Sequence, residues 1–334
     1  MIITRTPFRI SFFGGGTDYP SWFREFDGSV LATTINKYCY INMRYLPPFF
    51  EHKHRIVYSY IENVKELEEI KHPAVRAIFK ELNVNKGLEV HHDGDLPARS
   101  GLGSSSSFSV GLINALYALE GKMISKEDLA KSAIYIEQEI IKENVGSQDQ
   151  ISAAFGGFNK ISFNKDNSFD VKSIIFPENR REDLHHHLLL FFTGFSRIAS
   201  EVAESKIANF KNRETELKRM FSMVDEAINI IQDTSIPINE FGTLLHQSWA
   251  YKRELSDRVS TPEIDAIYDA ALKAGASGGK LLGAGGGGFI LFFAKPEFHK
   301  KIKTALNHLV HVPFEFENTG SRVLLYQPQS IDLS

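Results

Sequence analysis

Leu96-Pro97-Ala98-Arg99-Ser100-Gly101-Leu102-Gly103-Ser104-Ser105-Ser106-Ser107 is a glycine-containing loop that runs straight into helical text. Downstream, Phe108, Leu112, Ala115 and Leu119 recur at spacings of four, three and four, the apolar stripe of a helix from Ser104 to Leu119. At such a junction, unpaired backbone N–H groups and the positive end of the helix dipole converge on one point. Glycines let an anion reach the backbone, and serine hydroxyls add donors or a magnesium ligand. A single serine is enough for a cap, so four in a row after Gly-Leu-Gly point to phosphate binding. No Gly-Lys-Ser/Thr follows, so the loop is not a Walker motif.

Two further glycine clusters need their context. Gly283-Ala284-Gly285-Gly286-Gly287-Gly288 formally satisfies a dinucleotide fingerprint, but it leads into Phe289-Ile290-Leu291-Phe292-Phe293, which is strand text where that fingerprint requires a helix. It reads as a hairpin turn kept slim so that backbone can approach a ligand or a second domain. Gly275-Ala276-Ser277-Gly278-Gly279 matches a hydrolase elbow in letters, yet it follows a helix and precedes a strand, the reverse of that motif.

Thr6-Pro7-Phe8-Arg9-Ile10-Ser11-Phe12-Phe13 sets one arginine in an apolar strand, ahead of the turn Gly14-Gly15-Gly16-Thr17-Asp18-Tyr19. A buried arginine needs a partner, either a structural carboxylate or a phosphate or catalytic carboxylate. Glu137, Glu139, Glu143 and Asp149 form an acidic region that closes on Gly146-Ser147-Gln148-Asp149-Gln150. There Asp149 suits both a helix cap and a base that accepts a hydroxyl proton. His185-His186-His187 lacks metal spacing and reads as an exposed end of an element.

The 334 residues suggest about two domains, with a change of character near residue 180 and no low-complexity linker, hence close apposition of 1–180 and 181–334. Strands dominate from Ile2 to Tyr60. A helix is expected over 73–82, a strand over 87–92, a helix opened by Ser125 to about Ile141, and a short helix over 148–154. Strands follow at 158–163, 169–176 and 187–193, then helices to Ala274, including one begun by Thr261-Pro262. The tail reads as strand, glycine turn, strand, helix and two strands. A net charge of −3 gives no broad field for nucleic acid or anionic lipid. The lone Cys39 suggests a reducing, cytoplasmic setting, and no apolar run approaches the ~20 residues of a membrane span.

Taken together, Pro7 to Tyr19, Pro97 to Ser107 and Lys280 to Gly288 resemble the three motifs of the GHMP kinases, the galactokinase, homoserine, mevalonate and phosphomevalonate kinase superfamily. The resemblance implies an α+β fold of two domains, an N-terminal one of the ribosomal-protein-S5 type and a ferredoxin-like C-terminal one. ATP, Mg2+ and a small phosphosugar would lie between them, and the oligomeric state is left open. It lends Asp149 the role of base and Arg9 that of its neighbour at the transferred phosphoryl group. Asp18, with Gly16 and Thr17, would bind sugar, and Ser105 and Glu137 would hold magnesium, with Glu139 as the alternative carboxylate. ATP would lie against Pro97, Arg99, Ser100, Gly101, Leu102, Gly103, Ser104, Ser105, Ser106, Gly285 and Gly286.

The Gly-Gly-Gly-Thr-Asp-Tyr turn and Gly-Ser-Gln-Asp-Gln are most similar to bacterial D-glycero-D-manno-heptose 7-phosphate kinases. Phosphorylation of an anomeric hydroxyl for nucleotide-heptose synthesis is therefore expected. Another sugar or mevalonate-like alcohol, or a silent sugar sensor, are the alternatives. For the 7-phosphate, Arg197 and the pair Lys252-Arg253 are the basic candidates.

Overall fold

The apolar opening of the chain forms one long strand, β1 (Ile2–Phe13), which turns back through helix Pro20–Phe26 into β2 (Gly28–Tyr45). In this computed structural model, which describes residues 1–98, 100–194 and 199–328, those strands are the spine of the first sheet. It also takes in β3 (His54–Val57), β4 (Ile61–Val64), β5 (Leu88–Gly94), β6 (Phe158–Phe163) and β7 (Phe169–Ser173). A second sheet consists of β8 (Leu188–Phe192), β9 (Gly278–Leu281), β10 (Phe289–Phe293) and β11 (Val310–His311), in the order β11-β8-β10-β9. The chain then returns to the first sheet as β12 (Phe316–Glu317) and β13 (Arg322–Tyr326). There the order is β13-β1-β2-β5-β3-β4, with β6 and β12 on β2 and β7 on β6. Among the described residues, no helix is long and apolar enough to cross a membrane.

From Thr6 to Phe13, β1 is buried on both faces, with helices Ser104–Leu119, Glu214–Gln232 and Asn239–Glu254 packed against it. That is why its text does not alternate apolar with polar, and why the polar Thr6, Arg9 and Ser11 are buried with the rest. Helix Ser104–Leu119 approaches closely because Gly111 has no side chain: a Cβ there would lie 2.8 Å from the Thr6 hydroxyl. Ser107 Oγ donates to the Pro7 carbonyl at 2.9 Å, so one of the four serines serves packing.

The two sheets are joined through an aromatic chain. Phe12 and Phe13 of β1 meet Phe241 edge-on at 5.5 and 5.1 Å, and Phe241 meets Phe293 of β10 at 5.9 Å. Each fully buried phenylalanine contributes ~1.5–3 kcal/mol, which gives rigid apposition rather than tethering.

The helices Pro73–Glu81, Lys126–Tyr135, Gln148–Phe155 and Pro262–Lys273 form where the sequence predicts them, two of them behind the expected caps: Ser125 and Thr261 accept from Asp128 N and Ile264 N. Two short helices escaped the reading: Pro20–Phe26 lies between glycine turns in strand-rich text, and Glu178–His186 has a single apolar residue, Leu184, and so no apolar stripe. The second corrects the histidine run: His187 is buried and stacked on Phe293 at 4.9 Å, and His185 reaches the Phe314 carbonyl at 2.7 Å. The helix opened by Ser125 ends in a π-turn, Ile136–Ile140, which rotates Glu137 inward and leaves Glu139 exposed.

Candidate active site

Arg9 sits where β1 passes under the loop ahead of helix Ser104–Leu119. Its backbone N–H donates to the Leu102 carbonyl at 3.1 Å and its Nη1 to the Gly101 carbonyl at 2.7 Å. Nε and Nη2 donate to the two oxygens of Asp149, both at 2.8 Å, the bidentate geometry that suits arginine and carboxylate. The Asp149 side chain retains 25% exposure while that of Arg9 retains 4%, so the carboxylate is the face of the pair open to a ligand. Gly103 makes this possible: with φ +76 it turns the loop into the helix, and a Cβ there would press on Arg9 Cγ and Asp149 Cγ at 3.4 Å.

Asp149 is not a helix cap, since Ser147 holds that position; it lies in the first turn of Gln148–Phe155. That turn is fixed to the glycine turn after β1. Ser147 N–H donates to the Asp18 carbonyl at 2.9 Å and Gln148 Nε2 to Asp18 Oδ2 at 2.8 Å. Gly146 passes so near that a Cβ would fall 1.9 Å from Asp18 Oδ2. Asp18 Oδ1 accepts from Gly16 N–H at 2.9 Å. Burial pushes the Asp18 carboxyl up, the Gly16 N–H opposes it, and the charge of Asp149 adds to the rise. Thr17 is directed elsewhere: its hydroxyl donates to the carbonyls of Gly14 and Ser29 and accepts from Ser29 N–H, so it holds the turn.

Glu137 is wholly buried. Its Oε2 accepts from Ser106 Oγ at 2.8 Å and Gln150 Nε2 at 2.5 Å, while Oε1 is buried with no hydrogen-bond partner among the described residues. Burial lifts its pKa to about 7, against the hydrogen bonds that its carboxylate accepts. The serine that reaches Glu137 is thus Ser106, whereas Ser105 is exposed one position earlier. Among the described residues there is no cluster of three or more His, Cys, Asp or Glu side chains. A magnesium ion does not need one, since it is commonly held by one or two carboxylates together with substrate phosphates and water. An orphaned carboxylate oxygen beside a serine hydroxyl fits that chemistry.

The two glycine loops meet over the site. Gly101, with φ +85, faces the Leu282 carbonyl at 2.6 Å from its would-be Cβ, and Gly283 faces Gly101 Cα at 2.5 Å. Phe289 N–H donates to the Ser100 carbonyl at 3.0 Å, and Gly286 N–H to that of Val259 at 2.9 Å. Gly285 packs on the Val259 backbone. Leu102 is buried, Pro97 is exposed at the rim, and Ser104 lies in the first turn. Arg99 and Arg197 lie outside the described residues.

The pair Lys252-Arg253 does not form the expected phosphate site. Lys252 is buried and donates to the carbonyls of Leu281 and Gly283, both at 2.7 Å, bracing the glycine turn; Arg253 points to Asp265 at 3.5 Å. Two lysines emerge instead. Lys280 is buried and donates to the Phe12 carbonyl at 2.7 Å, tying β9 to β1. Lys206, from helix Ala199–Asn209, lies 5.2 Å over the Tyr19 ring within the fields of Asp18 and Asp149. Burial lowers Lys206 to about 8 and Lys280 to about 7. Lys280 was visible beside the third motif, but nothing flanking Lys206 in the sequence sets it apart from other helical lysines.

A phosphate-type loop at a helix N-terminus, an arginine–aspartate pair beneath it and a buried carboxylate beside it define a phosphoryl-transfer site. The chain belongs to the GHMP kinases: residues 68–157 match the GHMP kinases N terminal domain and residues 205–310 the GHMP kinases C terminal model. It is an ATP-dependent phosphotransferase that acts on a hydroxyl group.

Among its relatives is the D-glycero-alpha-D-manno-heptose 7-phosphate kinase of Campylobacter jejuni, 31% identical over 88% of this chain and 90% of that protein. The fold is shared with a D-glycero-D-manno-heptose 1-phosphate kinase from Bacteroides thetaiotaomicron, at a TM-score of 0.80 and 21% identity, covering 97% and 99% of the two chains. A galactokinase from Lactococcus lactis superposes at 0.72 with 18% identity, covering 96% and 94%. Ser277 is no elbow nucleophile: its hydroxyl donates to the Phe293 carbonyl in the turn before β9.

Proposed function

We propose that this chain transfers the terminal phosphoryl group of ATP to the anomeric hydroxyl of a heptose 7-phosphate, yielding the 1,7-bisphosphate. The observation that carries the choice of sugar is the 31% identity to the heptose 7-phosphate kinase across nearly the whole of both chains. The excess of positive charge at the site in a chain of net charge −3, where Arg9, Lys252 and Lys280 are held by partners within the chain and Lys206 lies over Tyr19, agrees with an acceptor that brings its own phosphate. The proposed division puts the nucleotide on residues 1–180 and the closing glycine turn on 181–334.

Asp149 takes the proton of the attacking hydroxyl, since it is the partly exposed member of its pair. Arg9 fixes the orientation of that carboxylate and adds positive charge where the phosphoryl group passes. Asp18 accepts from sugar hydroxyls through the lone pairs not engaged by Gly16 and Gln148. The N–H groups of the loop from Ser100 to Gly103 and of the first turn at Ser104 and Ser105 hold the nucleotide phosphates. Glu137 and a first-turn serine, Ser105 or Ser106, would hold Mg2+, which when bound neutralises phosphate charge. Gly101 and Gly283 keep the two halves in contact and exclude water. The test is incubation with ATP, Mg2+ and heptose 7-phosphate, with the product read by ³¹P and ¹H NMR. A new phosphate coupled to the anomeric proton is expected; a phosphate at any other carbon, or none, rejects the reading.

A further inference from the structure

Of the three lysines buried in the wall of the site, Lys252 and Lys280 are engaged by backbone carbonyls. Lys206 is only 3% exposed, yet no hydrogen-bond acceptor among the described residues contacts its Nζ. Its Nζ lies 5.2 Å over the face of Tyr19, a weak partner for a desolvated ammonium. A buried ammonium calls for an acceptor, and an anionic ligand can supply it.

The charge around it says what that acceptor is. Asp149 is already bound by Arg9, so the two carboxylates whose fields reach Lys206, Asp18 and Asp149, are outnumbered by Arg9, Lys206, Lys252 and Lys280, and both Asp18 oxygens already accept hydrogen bonds. The three ammonium groups repel one another: Lys206 acts on both of the others, and Lys280 on Lys252. The cluster lacks an anion, and a phosphate would restore its balance. Tyr19 follows Asp18, so Lys206 lies on the side of the site that the proposed reading gives to the acceptor.

We propose that Lys206 binds the phosphate carried by the acceptor, its ammonium donating to the phosphate oxygens beside Tyr19. This rests on the reading of the acceptor as a sugar phosphate. Inorganic phosphate is the probe, titrated by calorimetry onto the full chain with the nucleotide site already filled by a non-hydrolysable ATP analogue and Mg2+. Wild type is expected to bind it. K206M and the more polar K206Q should each weaken binding tenfold or more, equivalent to ~1.4 kcal/mol, and K206R should stay within threefold.

In turnover, K206M and K206Q should raise the KM for heptose 7-phosphate by tenfold or more. The KM for ATP should stay within twofold of wild type. Phosphate binding that disappears once the analogue is present assigns Lys206 to the nucleotide and overturns the proposal. Affinity indifferent to the substitutions also overturns it. Because calorimetry reads no turnover, that failure is distinct from failure of the heptose reading, which shows as wild type that releases no ADP with heptose 7-phosphate.

Discussion

Replacing Asp149 with asparagine separates the chemistry of the site from its architecture. Both carboxylate oxygens accept from Arg9, at 2.8 Å each, and an amide can replace only one of them. The other position becomes an NH₂ facing a guanidinium N–H, so one charge-assisted bond of ~1.5–3 kcal/mol is lost. Asp149 is a quarter exposed, and water compensates part of that loss, so a stability cost of ~1–2 kcal/mol, a few degrees in Tm, is expected. Loss of a general base costs ~10²–10⁴-fold in kcat, or roughly 3–5 kcal/mol of transition-state stabilisation, which exceeds the structural term. The assays are a thermal melt, binding of a non-hydrolysable ATP analogue, and kcat by coupled ADP release. The expected pattern is a small Tm shift, analogue affinity within threefold, and a collapse of kcat. A folded D149N with kcat within threefold of wild type refutes the role of Asp149.

Three more outcomes follow from the geometry. E137Q should raise the Mg2+ concentration needed for half-maximal rate at least tenfold, while E139Q, on an exposed residue, should leave it unchanged; the same defect in both would remove Glu137 as the particular ligand. Because burial lifts Glu137 from 4.5 to about 7, the folded chain holds a proton that the unfolded chain releases. The contribution of this group to stability is full below pH 4.5 and lost as pH rises through 7, a difference of ~3 kcal/mol. Without Mg2+ or nucleotide, E137Q should therefore melt higher than wild type at pH 8 and lose that advantage toward pH 5; an advantage independent of pH contradicts the burial argument. G283A sets a Cβ 2.5 Å from Gly101 Cα, and should lower Tm and raise the KM for ATP. G194A, at φ +83 with none of the described residues near its Cβ, should show only the strain of ~1–2 kcal/mol; equal melting of the two would mean that the loops do not need contact.

Much of this site was legible because its motifs are local. Phosphate loops, caps and the Arg9 strand announce themselves through backbone needs that a few adjacent residues satisfy; burial of Arg9 called only for an anionic partner, and the family resemblance put Asp149 beside it. What escaped depends on tertiary placement. Ser106 rather than Ser105 faces Glu137 because of the rotation of a helix packed on β1, and a π-turn that no periodicity announces carries Glu137 inward. Lys252 looked like a free cation beside a motif but proved to be a brace, since its two acceptors lie 29 and 31 residues away. Lys206 gave no signal in the sequence, because its meaning comes only from the Tyr19 ring and two aspartates on distant segments.

The central claim, that this kinase takes a heptose carrying its own phosphate, is tested most directly by comparing kcat/KM for heptose 7-phosphate and for the same heptose without the phosphate. The measurement follows ADP release at saturating ATP and Mg2+, with galactose and mevalonate as further acceptors. A preference of at least tenfold for the phosphorylated heptose over every other acceptor is predicted, from one or more charge-assisted contacts of ~1.5–3 kcal/mol to the phosphate. Equal kcat/KM for the two heptoses, or a higher value for galactose or mevalonate, would contradict it.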